Sequence, residues 1–194
     1  MERRDIFMKL TVKEIITTAL FTALMVVGAF VRIPFPLLPL TLQTFICALA
    51  GLILGHRLGA LSMIIYTFLG LAGLPVFANG GGIAYVLDKS FGFIVGFIAG
   101  TFVIGKIAEK LKTASVLNNI KALLPGLLVI YSTGILYMFL IMRIYLGNRQ
   151  AGLIFILTAN IPYIIKDIIL YFIVAVAGAT LVPAVKKAMS VRVS

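Results

Sequence analysis

The chain alternates between long apolar runs and short polar or basic breaks, and this pattern predicts several membrane-spanning helices. Most runs approach the roughly 20 residues that a helix needs to cross a bilayer. The predicted spans cover about residues 14–32, 41–55, 58–73, 90–105, 123–146 and 162–185. We therefore predict an all-α integral membrane protein, in which residues 1–194 form one compact bundle of six transmembrane helices.

The first and last apolar runs need separate interpretation. Ile15–Val31 follows a basic segment, as in a signal peptide, but it has no convincing small-residue cleavage site and further spans follow, so we interpret it as a retained first helix. Ala151–Val185 is too long for one span. Because proline is tolerated in a first helical turn, Pro162 is predicted to begin the final helix. Residues 151–160 would then lie at the interface or fold back into the protein.

The composition agrees with a membrane protein and excludes other classes. Apolar residues make up 62% of the 194, and adding the 18 glycines gives about 71%, against ~45–50% in soluble domains. Charged residues are only 12%, and mean hydropathy is +1.16. A soluble enzyme, a disordered protein and a secreted disulfide scaffold are therefore not expected.

The net charge of +11 is interpreted as a topology signal, because the basic residues cluster between the apolar runs. With both termini in the cytoplasm, twelve basic residues lie inside and four outside. The inner set is Arg3, Arg4, Lys9, Lys13, Arg57, Lys106, Lys110, Lys112, Lys121, Lys186, Lys187 and Arg192; the outer set is Arg32, Lys89, Arg143 and Arg149. We therefore predict cytoplasmic termini and no nucleic-acid partner.

Two irregular segments fall on the predicted outer side, and the last span carries ionisable residues. Pro34, Pro36 and Pro39 exclude a regular helix, and residues 79–82 read Asn-Gly-Gly-Gly. Such backbone within a membrane lines a cavity or lies buried in protein. Asn79 offers a donor and an acceptor to a ligand, although a plain external loop remains the alternative.

Lys166 and Asp167 lie only four to five residues past Pro162, near the outer side. Ionisable groups at this depth are costly and mark functional sites. Neighbouring helical side chains point about 100° apart, so we expect each residue to have another partner rather than a simple mutual ion pair. The pair indicates a polar ligand site under the outer loops; the alternative is that both residues reach the interface or bond nearby loops.

Small residues recur at helical spacing in two spans. Gly92, Gly96 and Gly100 form one smooth face, as do Ala19 and Ala23 in the first span. Such faces allow helices to approach closely. Packing within the chain is the expected use of the glycines, whereas Ala19 and Ala23 are also candidates for contact with a second membrane protein.

No catalytic, metal or cofactor site is expected. Gly100–Lys106 matches the start of a phosphate-binding loop, but Ile107 cannot supply the magnesium-ligating hydroxyl. Cys47 and His56 are each the sole residue of their type, so neither builds a metal centre alone. No paired carboxylates or Ser-His-Asp set can be assembled, so we do not expect an enzyme.

Taken together, four features resemble one known family, the substrate-binding S-components of energy-coupling-factor (ECF) vitamin transporters, specifically the biotin transporter family BioY. The features are Pro39–Thr44, Gly73–Gly82, the glycines from Gly92 to Gly100, and Pro162 followed by Lys166-Asp167. The resemblance implies a six-helix fold in a bacterial cytoplasmic membrane, with an outward-facing pocket. It implies biotin as the ligand, and docking through Ala19 and Ala23 onto a transmembrane scaffold subunit that carries two cytoplasmic ATPases.

The resemblance also implies a set of ligand-binding residues. These are Thr41, Gln43, Asn79, Gly82, Tyr85, Lys166 and Asp167. A carboxylate such as Asp167 and an amide such as Asn79 suit the ureido edge of biotin, whereas backbone amides near Gly82, or Lys166, suit its anionic tail. Three alternatives remain open from the sequence: a solitary transporter with Asp167 as proton carrier, a lipid transferase, and a purely structural bundle.

Overall fold

The computed structural model describes residues 10–148 and 152–190, and most of them are helical. The helices are α1 Val12–Phe30, α2 Gln43–Leu71, α3 Phe91–Leu111, α4 Val116–Leu140 and α5 Leu153–Ser190. A π-helical turn, Ile141–Tyr145, extends α4, and a 3-10 helix, Ile83–Leu87, precedes α3. The short strands β1 Arg32–Ile33 and β2 Leu40–Thr41 pair antiparallel. Within the described residues, these five helices are long and apolar enough to cross a membrane.

Helix α2 reverses direction at Gly55. This glycine has φ 77° and ψ −174°, a conformation that a residue with a Cβ rarely adopts. Gln43 Nε2 donates to the Tyr66 hydroxyl at 2.9 Å, although residues 23 positions apart in a straight helix are about 35 Å apart. Residues 43–54 and 56–71 are therefore antiparallel arms. The sequence predicted a turn at His56-Arg57 between two spans. In the structure the break is one residue earlier, at Gly55.

The reversal at Gly55 is held by α3. Glu109 accepts a hydrogen bond from the His56 backbone N–H at 3.0 Å, and its other oxygen lies 2.6 Å from His56 Nδ1. At Gly105, a Cβ would lie 2.3 Å from the His56 nitrogen, so only glycine allows this approach. The sole histidine is thus a structural residue at a turn.

Close packing of α3 on α4 depends on the glycines predicted from their spacing. A Cβ at Gly92 would lie 2.1 Å from Tyr137 Cβ, and one at Gly96 would lie 2.9 Å from the carbonyl oxygen of Ile130. Gly100 packs in the same way against Ile130 and Gly126. The glycine face therefore serves packing within the chain.

Helix α5 begins earlier than predicted. Its bounds are Leu153–Ser190, so residues 153–160 are helical and Pro162 lies inside the helix instead of starting it. Proline is tolerated inside membrane helices because side chains and neighbouring helices compensate for the lost backbone bond. Ala151, the predicted start of the run, lies outside the described residues.

The described ends of the chain lie together. Lys13 Nζ, in the first turn of α1, donates to the Ala188 carbonyl near the end of α5 at 3.5 Å. Ala19 and Ala23 of α1 are exposed, facing away from the bundle. Five of the basic residues counted for topology lie outside the described residues: Arg3, Arg4, Lys9, Arg149 and Arg192.

Replacing Gly96 by leucine is expected to destabilise the fold. The new side chain must displace α4 backbone at Ile130, and overpacking of this kind costs about 1–3 kcal/mol or more. Thermal unfolding in detergent should show a lower midpoint for Gly96→Leu. Val95→Leu is the control, because Val95 is the adjacent residue and is exposed. Equal midpoints for the two variants would contradict the tight α3–α4 contact.

Candidate ligand-binding site

A cavity of about 600 Å³ lies between residues 160–167 of α5, the start of α2 and the loops before α2 and α3. The wall is mostly aromatic and apolar, with a cluster of polar groups on the α2 and α5 sides. The lining residues are Leu38, Pro39, Thr41, Gln43, Thr44, Ala78, Tyr85, Ser90, Phe93, Ile94, Phe97, Tyr131, Asn160, Tyr163, Lys166 and Asp167.

Lys166 and Asp167 form an ion pair in the cavity wall, with Nζ 2.7 Å from Oδ1. The expectation that they would not pair with each other was wrong. A lysine side chain is long enough to fold back along its helix, so the directions of the two Cα–Cβ bonds do not decide the contact. The expectation of further partners was correct for both residues, as their remaining hydrogen bonds show.

Asp167 is engaged by three donors and is only 2% exposed. Its Oδ1 also accepts from Thr44 Oγ1 at 2.5 Å, and its Oδ2 accepts from the Tyr131 hydroxyl at 2.7 Å. Lys166 Nζ also donates to the Thr41 carbonyl at 2.7 Å and stays one-quarter exposed. An ammonium has three donors and a carboxylate about four acceptor positions, so each group keeps capacity for a ligand.

The predicted residues Thr41 and Gln43 both line the cavity and contact each other. Thr41 Oγ1 donates to Gln43 Oε1 at 3.2 Å, and the Gln43 amide nitrogen is bonded to Tyr66. Gln43 is therefore oriented by two neighbours, Thr41 in β2 and Tyr66 in the second arm of α2. Arg32 lies opposite Thr41 in the β1–β2 ribbon, at the edge of the cavity.

Tyr85, which the sequence predicted to bind ligand, is the residue of the 3-10 helix that lines the cavity. Its hydroxyl lies 3.0 Å from Ser90 Oγ, which donates to Asp88 at 2.5 Å. Burial raises the pKa of Tyr85 above its usual value, while hydrogen bonding to Ser90 and the nearby charge of Arg32 work in the opposite direction. Tyr85 therefore remains a neutral phenol at physiological pH and also packs on Phe77, with ring centroids 4.6 Å apart.

Asn79 and Gly82 lie beside the cavity and are not among the residues that line it. Asn79 is exposed, whereas its neighbour Ala78 lines the wall. The Gly82 N–H donates to the Gly70 carbonyl at 2.7 Å, so this amide is already paired. Gly82 adopts φ 99°, which accounts for a glycine here. Ligand binding by these two residues stays a prediction.

Several lining residues were not predicted as site residues. Thr44 and Tyr131 hold the Asp167 carboxylate, and Tyr163 bonds both backbone groups of Leu38, donating at 2.6 Å and accepting at 2.8 Å. Asn160 is fully buried and its Oδ1 has no partner among the described residues. Asn160 could have been found, because an amide inside an apolar run is unusual; the tyrosines gave no such signal.

Chemically, the site combines an apolar chamber with a compensated charge pair at one wall. Such a wall offers N–H donors and carboxylate acceptors to a polar group, and the aromatic rings exclude water around an apolar body. Within residues 10–148 and 152–190, no cluster of three His, Cys, Asp or Glu side chains is placed to hold a metal ion. The arrangement suits reversible binding of a small ligand that has both polar and apolar parts.

The chain is similar to known proteins. Residues 2–187 match the model of the BioY family. A probable biotin transporter BioY of Lysinibacillus sphaericus is 37% identical over 168 residues, covering 87% of this chain and 84% of the relative. One of Pyrococcus horikoshii is 40% identical over 158 residues, covering 81% and 88%.

A solved structure is also similar. The crystal structure at 2.1 Å of the S-component for biotin from an ECF-type ABC transporter superposes with a TM-score of 0.66 at 26% identity, covering 92% of this chain and 95% of that one. The family model matches nearly every residue of this chain, and the alignments with the two relatives cover most of each relative's length. The chain therefore belongs to the BioY family.

Proposed function

We propose that this protein is the substrate-binding S-component of an ECF-type vitamin transporter, which captures biotin at the outer face of the membrane for ATP-driven import with partner subunits. The proposal is supported by relatives named as biotin transporters and by the likeness to a biotin S-component. The observation that carries it is the Lys166–Asp167 pair, with its carboxylate buried, in the wall of an apolar cavity.

The ion pair favours the neutral end of biotin over its charged tail. A lysine already compensated by Asp167 at 2.7 Å attracts a second carboxylate weakly, and that carboxylate would also be repelled by Asp167. The ureido group is neutral and offers a carbonyl acceptor beside N–H donors. We therefore assign the ureido carbonyl to Lys166 and one ureido N–H to Asp167.

The anionic tail would then point toward the cavity edge. Arg32 lies there opposite Thr41 and acts electrostatically on Tyr85. Thr41, Gln43 and Tyr85 would contact the ring system or the aliphatic chain from the cavity wall. Asn79 and Gly82 belong to the loop beside the cavity, and their contribution depends on a movement of that loop toward the ligand.

We further propose six membrane crossings with both termini in the cytoplasm. The reversal at Gly55 supports counting the two arms of α2 as separate crossings. The contact between Lys13 and Ala188 supports placing both termini on one side. The excess of lysine and arginine in the corresponding segments supports the cytoplasmic assignment of that side.

Partner contact is proposed for the exposed alanines of α1. Ala19 and Ala23 are one helical turn apart and face out of the bundle, beside the exposed side chains of Ile15 and Val27. Small residues on a lipid-facing surface let another helix approach closely. The proposed partner is a transmembrane scaffold subunit that carries two cytoplasmic ATPases.

Asp167→Asn should weaken biotin binding by roughly tenfold or more, because the change leaves Lys166 without its buried counter-ion. Calorimetry on the purified protein measures the affinity, with thiamine and riboflavin as specificity controls. Glu109→Gln is the matched control, since it makes the same chemical change at the opposite end of the bundle. If Asp167→Asn and Asn79→Ala each left the affinity within a few-fold of wild type, the role assignment would fail.

Lys166→Gln distinguishes the two orientations of biotin in the cavity. If Lys166 binds the ureido carbonyl, the substitution weakens biotin and biotin methyl ester by the same factor, because both share the ureido ring. A larger loss for biotin than for its ester would instead assign the tail to Lys166. Lys89→Gln serves as the control, since Lys89 does not line the cavity. Arg32→Gln should affect biotin more than the ester.

Replacing both Ala19 and Ala23 by leucine should abolish ATP-dependent biotin uptake while leaving biotin affinity unchanged. The larger side chains would hold the scaffold helix away from α1 without altering the cavity. Uptake is measured in proteoliposomes with the partner subunits, and Val27→Leu on the same exposed face is the control. Uptake by this chain alone, driven by a pH gradient and indifferent to ATP, would favour the solitary proton-coupled transporter with Asp167 as carrier.

A further inference from the structure

A second cavity, of about 490 Å³, lies at the end of the bundle opposite the candidate ligand site. It is bounded by the end of α3, the connector to α4 and the last part of α5. The lining residues are Leu52, Ala108, Leu111, Lys112, Thr113, Ala114, Asn118, Asn119, Val182, Pro183 and Lys186. None of them is acidic, so the cavity combines two cationic side chains with neutral polar groups.

The two lysines reach the cavity from different elements. Lys112 ends α3 in a left-handed conformation with φ 60°, which turns the chain toward α4. Lys186 comes from α5, one turn after Pro183. The nearest carboxylate in sequence, Glu109, is engaged by His56 at the Gly55 turn. The positive charge of this cavity therefore lacks an acidic partner among its lining residues.

The N-terminus of α4 adds to this charge. Asn118 lines the cavity and its amide nitrogen donates to Thr113 Oγ1 at 2.7 Å, which fixes the connector. Ser115 caps α4 by accepting from the Asn118 N–H at 3.2 Å. The positive end of the α4 dipole thus lies at the cavity and reinforces the two lysines.

Exposed apolar side chains flank the cavity. Leu117 is 61% exposed and Leu181 is 45% exposed, next to the lining residues Asn118 and Val182. A free phosphate ion gains nothing from contact with apolar side chains, whereas the acyl chains of a phospholipid would cover them. A basic cavity beside exposed apolar side chains suits a phospholipid headgroup and its acyl chains between membrane helices.

We infer that this cavity binds the phosphate of an anionic phospholipid headgroup, through Lys112 and Lys186. The site is separate from the proposed biotin site, and the inference rests on the proposed cytoplasmic placement of this end of the bundle. Basic pockets between transmembrane helices at the cytoplasmic surface are suited to anionic headgroups, because that leaflet is negatively charged. The bound lipid would join the end of α5 to the α3–α4 connector.

The test uses the full chain in detergent and in lipid nanodiscs. Native mass spectrometry measures retained phosphatidylglycerol, and thermal unfolding compares phosphatidylglycerol with phosphatidylcholine discs. The variant pair Lys112→Gln with Lys186→Gln should lose phosphatidylglycerol affinity by roughly tenfold or more. Lys106→Gln with Lys121→Gln, which makes the same change in charge outside the cavity, should retain it. Lys112→Arg with Lys186→Arg keeps both charges and should also retain it.

Four outcomes would overturn the inference. Equal loss in the two Gln pairs would assign the effect to general surface charge. Equal stabilisation by phosphatidylcholine and phosphatidylglycerol would exclude recognition of the anionic headgroup. Stabilisation by inorganic phosphate alone, as large as that by the lipid, would assign the cavity to a soluble phosphate. If the Gln pair does not fold, the Arg pair supplies the test instead, and loss of phosphatidylglycerol from the Arg pair would overturn the inference.

Discussion

The structure depends on satisfying one buried carboxylate in an apolar bundle. Asp167 receives hydrogen bonds or charge from three elements: Thr44 of α2, Tyr131 of α4 and Lys166 of α5 itself. Inside a membrane no water replaces a missing partner, so each bond holds its element in position. The same pair, through Lys166 and the Thr41 carbonyl, fixes the β ribbon over the cavity. The polar wall of the site and the contact between these elements are therefore one network.

The sequence predicts the ionisable pair at the centre of this network, but it does not predict the partners that complete the network. An ionisable pair within an apolar run is visible as a departure from pattern. Its predicted depth assumed a helix start at Pro162, whereas α5 begins at Leu153; the pair lies near the loops because Lys166 reaches the Thr41 carbonyl. Its partners Thr44 and Tyr131 are separated from it by 123 and 36 positions. Nothing in the local periodicity of an apolar helix distinguishes such a tyrosine from one that only packs. The mutual ion pair was missed because backbone directions do not limit a long lysine side chain.

For the helices too, features encoded locally were predicted and features that depend on tertiary contacts were missed. The runs of apolar residues marked where helices lie, since length and hydropathy act locally. Pro162 misled the prediction for α5, because its cost in an isolated helix is offset by neighbours in the folded bundle. The reversal at Gly55 was anticipated within two residues, although the sequence emphasised the polar His56-Arg57 pair. The backbone instead turns at the residue without a Cβ, and Glu109 then engages His56.

Small residues on different helices have opposite uses in this fold. The glycines of α3 are covered, because α4 lies against them so closely that a Cβ would meet its backbone. The alanines of α1 are exposed, and no described element of the chain covers them. A membrane protein gains little hydrophobic free energy from burying either face, since lipid is as apolar as the protein. An uncovered small-residue face at the middle of α1 is thus free for another helix.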